Sequence, residues 1–290
     1  MKNIILFLIT LGFISCNKDN NEADAYGNFE ATEVTISSEA NGKIEFLKAE
    51  EGNVIDKDIV VGQIDTIQLY LNKQQLTASI NTIYSKSANV LSQRSVLNEQ
   101  LKTTLIEQKR IKNMFDESAA TKRQLDEVNG KVSVLQQQIK SVATQNAPII
   151  NEVHSIEVQI EKINDQLKKA KIINPIKGTV LAKYAEPNEI TAFGKPLYKI
   201  ADLSKMTLRV YFSETQLAFI KMGQEVTVSI DNNDGTKSYK GIISWISSSA
   251  EFTPKVIQTK EERVNLVYAV KVMVKNDGSL KIGMPAEIKL

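Results

Sequence analysis

One cysteine, one histidine and one tryptophan are all that 290 residues provide. A disulfide needs two thiols, and a structural zinc site needs several Cys or His ligands, so neither forms within one chain. With His154 as the lone imidazole, no Ser/His/Asp or Cys/His set is available for catalysis. No glycine-rich phosphate loop opens a helix either. The chain is therefore expected not to be an enzyme, and His154, beside Val153, is expected at a rod surface. The formal net charge is only +2, which argues against a general nucleic-acid binder. Aromatic residues make up 6%, a low share that suits a helical rod better than a large globular core. The apolar run at residues 4–14 is too short to span a bilayer.

What is present is a long helical pattern over residues 67–171, with a tip near residues 116–120. From Leu125, steps of three and four pass through Val128, Val132, Leu135, Ile139, Val142, Asn146, Ile149, Val153, Ile156, Ile160, Ile163, Leu167 and Ala170. Only Asn146 is polar. This is the repeat of a coiled-coil seam. The first half carries a weaker pair of rows: Leu76, Ile83, Val90, Leu97, Thr104 and Ile111, then Ile80, Ser87, Arg94, Leu101, Gln108 and Phe115. Two helices of nearly equal length, each about 75 Å long at 1.5 Å per residue, fold back on each other as an antiparallel hairpin. Thr121 and Gln124 stand in capping-box spacing, so Thr121 starts the second helix. Pro148 removes a backbone donor, yet the seam keeps phase across it, which predicts a bend rather than a break.

Lys2, the apolar run and Ser15-Cys16 resemble a bacterial lipoprotein processing site, so residues 1–16 read as a signal peptide ending at a lipidated Cys16. Residues 17–28 read as a flexible tether. The segments flanking the rod repeat each other at one constant offset: Gly42 meets Gly178, Ile44 meets Val180, Ala49 meets Ala185, Val54 meets Ile190, and Ile64 meets Ile200. Short strands separated by turns are expected in both copies. Neither copy buries enough surface alone, so the two combine into one sandwich that carries both rod ends on one face.

Gly42-Lys43-Ile44, Glu51-Gly52-Asn53-Val54 and Gly62-Gln63-Ile64-Asp65 resemble the first half of a biotinyl/lipoyl-like domain, and Asn174-Pro175-Ile176-Lys177-Gly178-Thr179-Val180 the second. Such a domain split by a coiled coil and followed by a barrel resembles the HlyD-type periplasmic adaptors, or membrane fusion proteins, over residues 29–290. The expected fold class is α+β: a long antiparallel α-helical coiled-coil hairpin (67–171) inserted in a lipoyl-like β-sandwich (38–66 and 172–202), followed by a small β-barrel (29–37 and 203–290). In the barrel, Ser213 and Gln216 form a capping box for a short helix that Gly223 ends. Residues 231–235 read as a turn without the Glu an EF-hand needs. Trp245 and Tyr268 are expected in the barrel core. True carriers attach lipoate or biotin to a hairpin lysine, whereas Lys43, Lys48 and Lys57 lie elsewhere, so no cofactor is expected.

The resemblance further implies partners and a site. Arg110, Ile111, Met114, Thr121, Asp126 and Val128 match the spacing Arg-Leu-x2-Leu-x6-Ser-x4-Asp-x-Ala, by which family members meet an outer-membrane channel. Residues 258–268 and 283–288 resemble the barrel of adaptors that serve ATP-binding-cassette exporters. No room is seen for the extra membrane-proximal domain of many proton-driven adaptors, which favours an ATP-driven inner-membrane transporter. The implied assembly is a homo-oligomeric ring, commonly hexameric, in the periplasm, with lipid on a membrane, the inner one by preference. Polar seam residues such as Arg94 and Gln108 would then face neighbouring hairpins. An adaptor of a proton-driven transporter, a carrier domain of an acyl-transfer or carboxylase enzyme and a non-transport coiled-coil scaffold lipoprotein are the competing readings.

Overall fold

The computed structural model describes residues 23–232, 235–252 and 266–290. In chain order the elements are β1 (Ala25–Glu30), β2 (Glu33–Ser37), β3 (Gly42–Leu47), β4 (Val54–Ile55) and β5 (Val60–Ile64). Helices α1 (Ile67–Asp116), α2 (Lys122–Thr144) and α3 (Asn146–Lys169) follow. Next come β6 (Lys171–Ile173), β7 (Gly178–Lys183), β8 (Ile190–Thr191), β9 (Pro196–Ala201), β10 (Lys205–Ser213) and α4 (Glu214–Leu217). The chain closes with β11 (Glu225–Asn232), β12 (Gly235–Ile246), β13 (Glu251–Phe252), β14 (Leu266–Lys275) and β15 (Pro285–Lys289).

The repeat is visible strand by strand. One four-stranded sheet runs β2-β9-β7-β4 and the other β6-β5-β3-β8. Adding the sequence offset to the strands of either sheet gives the other, so each sheet is built from both halves. Registers agree as well: Ile44 faces Ile64 as Val180 faces Ile200, and Gly42 faces Thr191 as Gly178 faces Ile55. The backbone follows the same symmetry at its turns. Gly52 (φ 84°) corresponds to Asn188 (φ 75°), and Asp58 (φ 63°) to Gly194 (φ 81°). Each left-handed position carries glycine in one half and Asn or Asp in the other, the residue types that tolerate it. Ile44, Ile64, Val61, Val180, Leu197 and Ile200 fill the shared core.

Two buried polar residues occupy equivalent positions, and the second of them pins the halves together. Ser38 Oγ donates to the Ala40 carbonyl at 2.6 Å. Asn174, its counterpart, is fully buried. Its Nδ2 donates to the carbonyls of Asp56 and Ile176 at 3.0 and 2.5 Å, and its Oδ1 accepts from the Tyr198 hydroxyl at 3.0 Å. Burial pushes that hydroxyl up to about 12, so it stays a donor at ordinary pH.

The barrel closes as β10-β1-β15-β11-β12-β14 and back to β10, while β13 pairs with the start of β14 on the side that β12 occupies further along. Alternate residues of β10 (Met206, Leu208, Val210, Phe212) are fully buried and pack with Phe29, Val228, Val272 and Ile288. Gly27 is required at the closure, because a Cβ there would lie 1.9 Å from the Arg209 carbonyl oxygen.

Three expectations are corrected. Residues 25–28, assigned to the tether, are strand, paired with β10 and β15. Residues 29–37 do not all join the barrel: β1 does, whereas β2 pairs with β9 in the sandwich, because the chain turns at residues 31–32 between the two units. Trp245 lies on the outer face under the Lys271 ammonium, 5.3 Å from its ring, and Tyr268 is half-buried. Cys16 and the string at residues 258–265 lie outside the described residues.

Replacing Asn174 by Leu strips partners from two part-buried carbonyls and the buried Tyr198 hydroxyl, so stability falls by about 2–4 kcal/mol. Urea unfolding checks this, and a loss below about 0.5 kcal/mol contradicts the pinning role. Tyr198 also sets an alkaline limit. Its folded pKa lies above the unfolded value, so its contribution is complete below pH about 10 and is lost towards about 12. The Tyr198→Phe variant loses less stability over that interval than the natural chain. Equal losses in pH-dependent unfolding would remove Tyr198 from the account.

Candidate functional site

The rod carries the candidate site at its tip, and its seam determines where that tip points. Every seam residue read from Leu125 to Ala170 is buried or half-buried. Of the two α1 rows, only Arg94 is exposed. Polar seam residues meet each other: Ser87 Oγ donates to Asn146 Oδ1 at 2.7 Å. Gln108 Nε2 donates to Asn129 Oδ1 at 2.8 Å, so Gln108 binds its own hairpin, contrary to the expectation of a neighbour. Pro148 falls in the first turn of α3, where its missing N–H has no intrahelical acceptor to lose. The interruption sits at Gln145, whose φ −70° and ψ −17° remain helical, so the seam passes through in phase.

At the tip α1 ends in a paired backbone lock. Ser118 adopts φ 63°, the Ala119 N–H donates to the Met114 carbonyl at 2.7 Å, and the Ser118 N–H donates to that of Phe115 at 2.9 Å. This is the Schellman arrangement, usually closed by glycine. Sequence reading missed it because serine at that position carries no such signal. On the other side, Thr121 caps α2: its Oγ1 accepts from the Gln124 N–H at 3.3 Å, and Gln124 Oε1 accepts from the Thr121 N–H at 2.8 Å. Both strokes of the expected capping box are present.

Besides the cap Thr121, the motif residues divide into two groups. Ile111 and Val128 face each other across the two helices and line a cleft of about 410 Å³ with Thr104, Glu107 and Gln124. Arg110 lies outside this cleft, exposed and ion-paired with Glu107, which holds the guanidinium more firmly protonated. Met114 is exposed, and Asp126 pairs with Lys122 on the outside of α2 at 3.7 Å. The tip thus presents a thioether and a guanidinium beside a shallow cleft in which Ile111 and Val128 are ringed by polar side chains. Among the described residues no group of three or more His, Cys, Asp or Glu is placed to hold a metal. His154 is exposed, 3.8 Å from Glu157.

No family model matches the chain. It is 23% identical to a UPF0194 membrane protein of Enterobacter sp. (strain 638), over 91% of this chain and 87% of that one. A UPF0194 membrane protein of Yersinia enterocolitica is 24% identical, over 91% and 88%. Among solved structures, MacA from Actinobacillus actinomycetemcomitans superposes with a TM-score of 0.52 at 20% identity, covering 91% of this chain and 76% of that one. The membrane fusion protein Spr0693 from Streptococcus pneumoniae R6 gives 0.54 at 16% identity, covering 91% and 96%. The barrel, the long helical hairpin and their order along the chain are thus shared with these two solved structures, the second of which is a membrane fusion protein.

Removing the cap by Thr121→Ala weakens the first turn of α2 by about 1 kcal/mol. Relieving the left-handed serine by Ser118→Gly strengthens the tip by about 0.5–1 kcal/mol. Amide exchange at residues 112–125 reads both, with faster exchange expected for the first variant and slower for the second. The reverse order would contradict this account of the tip.

Proposed function

We propose that the chain is the periplasmic adaptor of a tripartite efflux or secretion system, bridging an inner-membrane transporter to an outer-membrane channel. The observation that carries this reading is the placement of the two ends. The rod leaves the sandwich where β5 pairs with β6, and the barrel joins it where β2 pairs with β9, positions exchanged by the internal symmetry. A docking tip and a barrel thus lie at opposite poles of one molecule, separated by a helix of 50 residues, about 75 Å. The fold shared with membrane fusion proteins supports the same role. The reading assigns no catalytic step and no cofactor.

The finer assignments belong to the same proposal. The pseudo-symmetric pair of sheets supports a lipoyl-like sandwich. The Ser15-Cys16 site supports a lipid anchor, which the adaptor role would place on the inner membrane, and the barrel would face an ATP-binding-cassette transporter of HlyD-type systems. Arg110, Ile111, Met114, Thr121 and Asp126 would meet the channel, with Thr121 acting through tip geometry because its hydroxyl is engaged by Gln124. A ring is supported by a second apolar row on α1, where Tyr70, Tyr84, Leu91 and Leu105 recur at multiples of seven and remain exposed. Such a row on the flank of a hairpin suits contact with a neighbouring copy.

Purification of the tagged, full-length protein from its own host, with mass spectrometry of what accompanies it, tests the role. An ATP-binding-cassette permease with an outer-membrane channel is expected. A proton-driven permease would change the transporter, and neither partner would favour a scaffold lipoprotein. Arg110→Asp, on an exposed side chain, is expected to leave folding intact and to reduce export severalfold; unchanged efflux at equal expression removes Arg110 from the docking site.

A further inference from the structure

The end of the barrel remote from the sandwich is rimmed by large apolar side chains. β10 starts beside the sandwich and runs about 30 Å to Ser213. Its antiparallel register with β1 and β14 places Ala25, Val267 and the α4 turn at that remote end. There Phe219 is 74% exposed and Met222 62%, in the short turn between α4 and β11. Phe252 and Leu266, opposite each other on β13 and β14, are exposed at the same end. The turn is not a loose flap. Ile220 between the two exposed residues is buried in the barrel core, and the Gly223 N–H donates to the Ile243 carbonyl at 2.8 Å. Lys221, exposed between Ile220 and Met222, adds a cation to the tip of the turn.

The rim lies beside the first described residues of the chain. The Gln216 side chain donates to the Asp24 carbonyl at 2.7 Å, and Asp24 Oδ2 accepts from the Leu290 N–H at 2.8 Å. Phe219, whose N–H donates to the Gln216 carbonyl, is therefore beside the point where the chain arrives from its N-terminal segment. Cys16 stands eight positions before Asp24, a reach of at most about 28 Å. A lipid on Cys16 confines this end of the barrel to within that distance of a bilayer.

We propose that the turn carrying Phe219, Lys221 and Met222 is a membrane-contact element, seating its two apolar side chains in the lipid interface with the ammonium at the headgroups. The inference rests on the lipid-anchored adaptor reading and deepens it, by adding a second contact and an orientation to the tether. Acyl anchoring strengthens when a second apolar or cationic contact reaches the same surface. Two apolar residues flanking a buried anchor are held outward together, so little ordering entropy opposes their insertion.

The test uses the full-length protein in vesicles of phosphatidylethanolamine and phosphatidylglycerol with brominated acyl chains, without a transporter. In a Trp245→Phe background, Phe219→Trp is expected to emit to the blue and be quenched, and Met222→Trp serves if the first variant does not fold. Ile106→Trp, exposed on the rod, is the unquenched control. Emission at Phe219→Trp and Met222→Trp that matches the rod control overturns the proposal. Shielding that arises only when a transporter is added also overturns it, and assigns the rim to a protein partner. The intact mass of the same preparation reads the lipid on Cys16 separately, so an unmodified cysteine refutes the anchor while the quenching still decides the rim.

Discussion

The pairing of β5 with β6 is the constraint on which the molecule depends. Gln63 and Lys171 lie opposite each other although the whole rod separates them in sequence, and the Ile64 N–H donates to the Ala170 carbonyl at 2.9 Å. Closing a loop of that length as a free coil costs entropy before any strand contact repays it. The rod removes this cost by closing the loop with its own seam. A zippered hairpin brings residues 66 and 170 together and presents the two halves in register. The sandwich core then needs both halves at once, since each sheet takes strands from each.

Seam register consequently has structural consequences at both ends of the rod. Leucine and isoleucine alone tolerate sliding along the helix pair; polar residues inside a seam do not. The Ser87–Asn146 bond sits near the helix junction and the Gln108–Asn129 bond nearer the tip. A shift of one turn would leave both amides without their partners and displace β6 from β5. The residues that weaken the seam energetically are thus the ones that specify its alignment. The same logic holds in the sandwich, where Asn174 costs desolvation yet ties loops from both halves to one point.

The two poles follow from the symmetry. An internal two-fold that exchanges β2 with β6 and β5 with β9 also exchanges the attachment points of barrel and rod. One pole ends in the capped tip, where Thr121 and Ser118 hold a tight reversal and leave Met114 and Arg110 outward. The other ends in the barrel rim with Phe219 and Met222. In the proposed adaptor role, the stiffness of the paired helices would set the distance between whatever binds at each pole.

Much of this was legible in the residues because it depends on periodicity. The seam from Leu125 to Ala170, the Thr121 cap spacing and the constant offset between the two halves are each read directly along the chain. The tip motif was legible as spacing, but its division into a cleft pair (Ile111, Val128) and outward residues (Arg110, Met114, Asp126) was not. That division depends on which face of each helix the partner covers. The tertiary structure alone decided that β1 and β2 part between barrel and sandwich, that Trp245 faces outward, and that Gln108 meets Asn129. Strand alternation names two faces without saying which is inside, and a polar side chain finds its partner through space. The sequence by itself determined the rod, the duplication and the Thr121 cap, since periodicity, repetition and cap spacing are read along the chain without knowing which segments meet. The poles, the polar rungs and the exposed rim arise only when segments far apart in the chain are brought together.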